Sequence, residues 1–236
     1  MLTLGSGSPE EQRSSRRVYA LDFWGFGDSS SSTETNHSAY LLENYVDMVR
    51  EFMDNMGIIS APIAGHSLGG TVALLFALTY PQRTDRIVVV GSPIDGRTLN
   101  PFLKLAGVSW IARIVWTFPI IRTVIMKMLL ARDSALVRQM IFRDIERSSV
   151  DSFFRSIGDL SNTNLTYDLK RLQVPALGIY GSNDNIVSSE NAELLSKNYN
   201  NSKITMIPDS RHFPMADEPE AFINALRHFL DEETQL

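Results

Sequence analysis

A chain of 236 residues, 44% hydrophobic and 21% charged, has the size and make-up of one large globular domain, which excludes a fibre and a disordered chain. Its formal charge of −5 and sequence pI of about 5.4 argue against a basic nucleic-acid binder. The chain has no cysteine, so disulfides, thiolate metal sites and a cysteine nucleophile are excluded together.

The first nine residues, MLTLGSGSP, lack the apolar core of a secretory signal, and a cytoplasmic location is the expectation. Ser8-Pro9-Glu10-Glu11 is a capping box with proline at the first helical position, predicting a short helix to about Arg17. Val18–Asp22 is a short apolar run ending in turn residues and reads as a strand. The serine cluster Ser29–Ser32 reads as a loop. From Leu41 to Met56, Leu42, Tyr45, Val49, Phe52, Met53 and Met56 recur at helical spacing, and Gly57 ends the helix. Ala61–Gly65 is a short apolar strand, Thr71–Thr79 an almost uninterrupted apolar helix stopped by Pro81, and Ile87–Val90 a β-branched strand suited to burial on both faces.

Between Asp95 and Asp168 the pattern turns to helices only, and this stretch reads as a lid, about 95–168, inserted in a single domain spanning 1–236. Lys104 to Arg122 is apolar enough to resemble a membrane span, but Arg113 sits in its middle and Gly107 and Pro119 interrupt it. Alternation then resumes: strands at Ala176–Tyr180 and Ile204–Ile207, a helix around Ser189–Asn198 and a final amphipathic helix over Pro219–Leu230. Strands alternating with helices imply an α/β fold with a parallel sheet covered on both faces.

Gly65-His66-Ser67-Leu68-Gly69 matches G-x-S-x-G. Alone the match is weak, and a glycine-rich turn before a helix is the plain alternative. The strand leading in and the apolar helix leading out give it meaning, because a sharp strand–turn–helix exposes the serine while small residues at Gly65 and Gly69 let the backbone approach.

A serine nucleophile needs a base, and the base an orienting acid. Of four histidines, His37 lies in a polar loop and His228 on the last helix. His66 adjoins the nucleophile, its side chain directed away from Ser67. His212 follows the strand Ile204–Ile207 on a loop at a strand's C-terminal end, where ligands meet open α/β sheets, so it is the expected base. Asp184, in Gly181-Ser182-Asn183-Asp184-Asn185, occupies the equivalent edge one strand earlier and is the expected acid. Asp95, after Ile87–Val90, is its competitor, and a plain turn aspartate is the other reading of Asp184.

With these residues in hand, Arg17 to His228 resembles the serine α/β-hydrolases. Asp22-Phe23-Trp24-Gly25-Phe26-Gly27-Asp28-Ser29 is similar to the loop after that family's fourth strand. Gly181–Val187 is similar to its acid loop, and His212-Phe213-Pro214 with Glu218-Pro219 to its histidine loop. The resemblance implies an eight-stranded, mostly parallel sheet with a helical lid after the sixth strand, and hydrolysis through an acyl-enzyme by Ser67, Asp184 and His212. The backbone N–H of Leu68 would be an oxyanion donor, and His66, Trp110, Trp116 and Phe213 are the expected substrate contacts. Ser67 stands where haloalkane dehalogenases and epoxide hydrolases carry an aspartate nucleophile, which disfavours those activities. No metal or organic cofactor is expected.

The family has three strands before the segment that begins here near Val18, so the fold is expected with truncated N-terminal strands. Leu2–Leu4 would be a stub of the third strand, with Gly5-Ser6-Gly7 in the oxyanion-loop position. Loss of one oxyanion donor typically costs about 2.7–4 kcal/mol, so weak activity is expected, and a non-catalytic or ligand-binding protein of the same fold is the rival reading. Arg97 through Arg132 holds six basic residues and no acidic one. The lid either packs its apolar faces inward, or lines an acyl or other apolar pocket or touches an anionic lipid surface. The expected partners are a small-molecule ester-like or acyl substrate and a weak membrane-surface contact through the lid, with no nucleic acid.

Overall fold

The structure, a computed structural model, describes residues 17–29, 40–101, 139, 143 and 147–232. Within them the order is α1 (Leu42–Asn55), β1 (Ala61–His66), α2 (Leu68–Thr79), β2 (Thr84–Val90), α3 (Val150–Asn162), β3 (Ala176–Gly181), α4 (Glu190–Asn198), β4 (Ser202–Ile207), a single-turn α5 (Pro214–Asp217) and α6 (Pro219–Asp231). The four strands pair in parallel in the order β1-β2-β3-β4. Each connection between neighbours carries a helix, as parallel pairing requires.

β2 lies between β1 and β3, and Ile87, Val88, Val89 and Val90 are all buried. Its side chains serve two cores. Ile87 and Val89 join Leu74 and Ala77 of α2 and Leu195 of α4 on one face. Val88 and Val90 join Leu177, Ile179, Ile207 and Phe229 of α6 on the other. A continuous β-branched run, rather than an alternating one, follows from that double cover. α2 is apolar nearly all round because it packs on β1 and β2 beneath α1 and α3. α1 instead buries only Leu42, Tyr45, Val46 and Met53 and ends at Met56 and Gly57, whose φ of +67° glycine adopts freely.

α6 is pinned at its C-terminal end by Arg86. The buried guanidinium donates from Nη1 to the Phe229 carbonyl at 3.1 Å, bonds the Glu232 carbonyl from Nη2, and lies 5.4 Å from the Phe229 ring centroid. A cation on the carbonyls that a helix end leaves free is favourable both by hydrogen bonding and by the helix dipole.

Residues 18–22 form no strand. They pair with nothing in the sheet, and Val18 is 83% exposed. A short apolar run forms a strand only beside a partner whose backbone groups it can meet, and among the described residues β1 has a strand neighbour on one side only, β2. The eight-stranded sheet expected from the resemblance is therefore represented by four strands here. The proposed stub at Leu2–Leu4, the Gly5-Ser6-Gly7 loop, the helix from Ser8 and residues 102–138 of the all-helical stretch lie outside the described residues. Among the described residues no helix is long and apolar enough to cross a membrane.

Candidate active site

All four strands point the same way, so His66, Val90, Gly181 and Ile207 end them along one edge. Immediately beyond come Ser67, Gly91, the 182–189 loop and the 208–213 loop. The carboxyl edge of an open parallel sheet is where such folds meet ligands.

Ser67 has φ 53° and ψ −122° and links β1 directly to α2. A non-glycine residue at positive φ costs about 1–3 kcal/mol, and here the turn is held by the Ser67 N–H donating to the Val90 carbonyl at 2.8 Å. A Cβ on Gly65 would overlap the backbone of Gly69, and one on Gly70 would overlap the Ser92 side chain. One on Gly69 would meet only Phe23, at 3.9 Å. The close approach expected of Gly65 and Gly69 thus belongs to Gly65 and Gly70. At the start of α2 the Leu68 and Gly69 N–H groups have no partner within the helix, as at every helix N-terminus.

His212 Nδ1 lies 2.9 Å from Asp184 Oδ2, with the two side chains only 4% and 1% exposed. The other carboxylate oxygen, Oδ1, accepts from the N–H groups of Ile186 at 2.8 Å and Val187 at 3.0 Å. The carboxylate is thus gripped by its own loop, and Nδ1 of His212 must donate to it, which leaves Nε2 as the nitrogen without a proton in the neutral ring. The His212 loop is held from the other side by buried Asp217 on α5, whose Oδ2 accepts from the Arg211 N–H at 2.8 Å and from Ser210 Oγ at 3.3 Å. Gly91, at φ 52°, backs the pair: a Cβ there would stand 3.4 Å from both Asp184 Oδ2 and His212 Nδ1. Because Val90, next to Gly91, accepts the Ser67 amide, the elbow and the Asp184–His212 pair flank the same turn. No hydrogen bond joins the Ser67 hydroxyl to His212 among the described residues.

His66 turns its ring away from the elbow and onto the His212 loop. Its Nε2 lies 2.8 Å from the His212 carbonyl oxygen, and its ring centroid is 4.7 Å from that of His212 and 4.6 Å from that of Phe213. Burial, with the His212 ring as the second cause, pushes its pKa down to about 3. Asp95 is engaged elsewhere. It accepts from the Arg97 backbone and guanidinium and from Asn164 Nδ2, and it pairs across the chain with Asn164 as an isolated bridge. Asp184 is the carboxylate at His212. Trp110 and Trp116 lie outside the described residues. Gly91 and Asp217 escape sequence reasoning; Asp217 is legible only as a first-turn acid after Pro214. No group of three or more His, Asp or Glu side chains among the described residues is arranged to hold a metal ion.

Residues 12–219 match the family model described as serine aminopeptidase, S33. The chain is 24% identical to epoxide hydrolase 4 of Homo sapiens over 249 residues, covering 95% of this chain and 68% of that protein. It is 27% identical to a pimeloyl-[acyl-carrier protein] methyl ester esterase of Aeromonas hydrophila over 225 residues, covering 91% and 85%. Among solved structures, a bromoperoxidase from Bacillus anthracis matches with a TM-score of 0.78 at 21% identity, covering 89% of this chain and 80% of that one. An esterase from Exiguobacterium antarcticum matches with a TM-score of 0.77 at 17% identity over the same shares. These likenesses identify the fold as that of the α/β-hydrolases.

Proposed function

The chain belongs to the serine aminopeptidase S33 family of α/β-hydrolases, and from that premise we propose that it is a serine hydrolase cleaving an ester-like bond of a small or apolar substrate through an acyl-enzyme on Ser67. The observation that carries this reading is the buried Asp184–His212 pair, 2.9 Å apart, on the same sheet edge as the strained Ser67 elbow. Backbone strain and a nearly dry carboxylate–imidazole pair both cost stability, and together they suit an activated alcohol.

In this mechanism Ser67 Oγ attacks the carbonyl carbon as its proton passes to His212 Nε2. Asp184, accepting from Nδ1, holds the tautomer that leaves Nε2 basic and stabilises the imidazolium that forms. The N–H of Leu68, at the positive end of α2, meets the developing oxyanion. His212 then returns the proton to the departing alkoxide, leaving the acyl group on Ser67. Water, deprotonated by the same imidazole, attacks that ester, and as the Oγ–acyl bond breaks His212 returns the proton to Ser67 Oγ and the acid is released. Phe213, half-buried beside His66, offers an apolar edge to the substrate. We read residues 95–168 as an inserted lid, whose first described residues meet the acid loop where Leu99 bridges Val187; residues 102–138 lie outside the described residues. The expected partner is a small-molecule ester.

The esterase among the relatives supports the ester bond. The family description names an aminopeptidase, so a peptide anilide is the contrasting substrate, while Ser67 in place of a carboxylate disfavours the epoxide chemistry in the name of another relative. A fluorophosphonate probe tests the reading: one equivalent of label is expected on the native chain and none on Ser67→Ala, together with turnover of a short-chain aryl ester above that of the peptide anilide. Equal labelling of both chains refutes it.

A further inference from the structure

His66 is the residue before the proposed nucleophile, yet its polar contact is with the proposed base. A carbonyl oxygen only accepts, so the 2.8 Å contact to the His212 main chain requires Nε2 of His66 to carry the proton and donate. Nδ1 is then the bare nitrogen of the neutral ring. The ring is fixed in that pose by its neighbours, His212 with planes tilted 53° and Phe213 with planes tilted 42°. The 208–213 loop is also held by Asp217, which accepts from the Arg211 N–H and Ser210 Oγ. The Asn183 N–H donates to the Ser210 carbonyl at 2.9 Å and Ser182 Oγ accepts from the Asp209 N–H at 3.0 Å, but the His66 bond falls on the main chain of His212 itself.

We infer that His66 is a positioning residue, a hydrogen-bonded tether from the nucleophile elbow to the backbone of His212 that keeps base and nucleophile in one register. The inference rests on the reading of Ser67 and His212 given above. The geometry explains why a histidine serves at this position. The donor must span from the β1–α2 turn to the 208–213 loop, and it must stay uncharged, because a cation 4.7 Å from the His212 ring would oppose the imidazolium that forms in each half-reaction. Burial keeps His66 neutral. Small displacements between a base and its nucleophile are costly to rate, so the tether acts on kcat rather than on substrate affinity.

The test compares His66→Leu, which has no donor, with His66→Gln, which keeps a neutral N–H donor, and with Ser67→Ala. The rate of fluorophosphonate labelling and steady-state turnover of a short-chain aryl ester are measured, and 15N spectra report the tautomer of His66 in the native chain. The expected result is labelling and kcat about tenfold or more slower in His66→Leu, KM unchanged, substantial recovery in His66→Gln, and a His66 ring protonated at Nε2 and untitrated from pH 8 to 5. Label lost in Ser67→Ala but undiminished in His66→Leu overturns the tether alone, as does equal loss in the Leu and Gln variants or an Nδ1-protonated ring. Label retained in Ser67→Ala overturns the nucleophile reading and the positioning role with it.

Discussion

The side-chain amide of Asn100 donates to the carbonyl oxygen of Asn185 at 2.7 Å, one residue after Asp184. The Asn100 N–H adds a bond to the Ile186 carbonyl at 3.0 Å, and Leu99 bridges Val187. Ile186 and Val187 are the two residues whose N–H groups hold Asp184 Oδ1, so the segment leaving the sheet after β2 is zipped to the loop that aims the carboxylate. Asn100→Ala is expected to cost about 0.5–1.5 kcal/mol, the value of one such hydrogen bond, and to lower kcat without raising KM. Urea unfolding and steady-state kinetics check both, and an unaltered kcat would remove Asn100 from the positioning of Asp184.

Asp184→Asn preserves shape but replaces an acceptor by a group that can donate. Nδ1–H of His212 then loses its anionic partner, and the opposite tautomer, with Nε2 protonated, becomes accessible. A fall in kcat of about 10⁴-fold is expected at neutral pH, with the fold intact by circular dichroism. A loss under tenfold would point to another acid, and Asp95→Asn, expected to be nearly silent in kcat, is the control.

Acid should weaken the native state through His66. Its pKa falls from an ordinary 6.5 to about 3 on folding, burial being the main cause and the His212 ring the second. Between those values the unfolded chain binds the proton and the native chain refuses it. The stability is therefore complete above about pH 6.5 and declines as pH drops toward 3, by up to about 1.4 kcal/mol per unit. His66→Gln removes that proton uptake, so its urea midpoint should change less between pH 7.5 and 5.0 than that of the native chain. Parallel pH profiles for the two would sink the assignment.

The two glycines of the elbow motif should behave oppositely. Gly65→Ala drives a methyl into the Gly69 backbone, and overpacking of that kind costs about 1–3 kcal/mol or more where backbone cannot yield. Gly69→Ala lies inside α2 with open space toward Phe23, and alanine there should raise stability by about 0.5–1 kcal/mol through helix propensity. Thermal unfolding of the two variants decides the matter, and comparable losses at both positions would contradict the geometry.

Much of this molecule is legible in its residues. The apolar spacing of Leu42, Tyr45 and Val49 announces α1, the run Ile87–Val90 announces a strand covered twice, and Gly65-His66-Ser67-Leu68-Gly69 lies between a strand and a helix as read. These are local signals, because periodicity and turn chemistry act over a few neighbours. Val18–Asp22 carries the same kind of signal and forms no strand, because a strand depends on a partner that its own residues do not specify.

What only the tertiary structure decided is which side chains meet. Asp184 is the expected acid and Asp95 its competitor, each a turn aspartate after a strand, and spacing alone does not show which of them meets His212. Folding turns one toward His212 and the other toward Arg97 and Asn164. The direction of His66 away from Ser67 is readable in sequence but its partner is not, since its ring reaches a carbonyl 146 positions away. Composition and spacing determined the layered fold and the candidate nucleophile, since those follow from burial and backbone geometry along the chain. The meeting of Asp184, His212 and His66 comes from the parallel register of β1 to β4, which gathers strand ends far apart in sequence onto one edge.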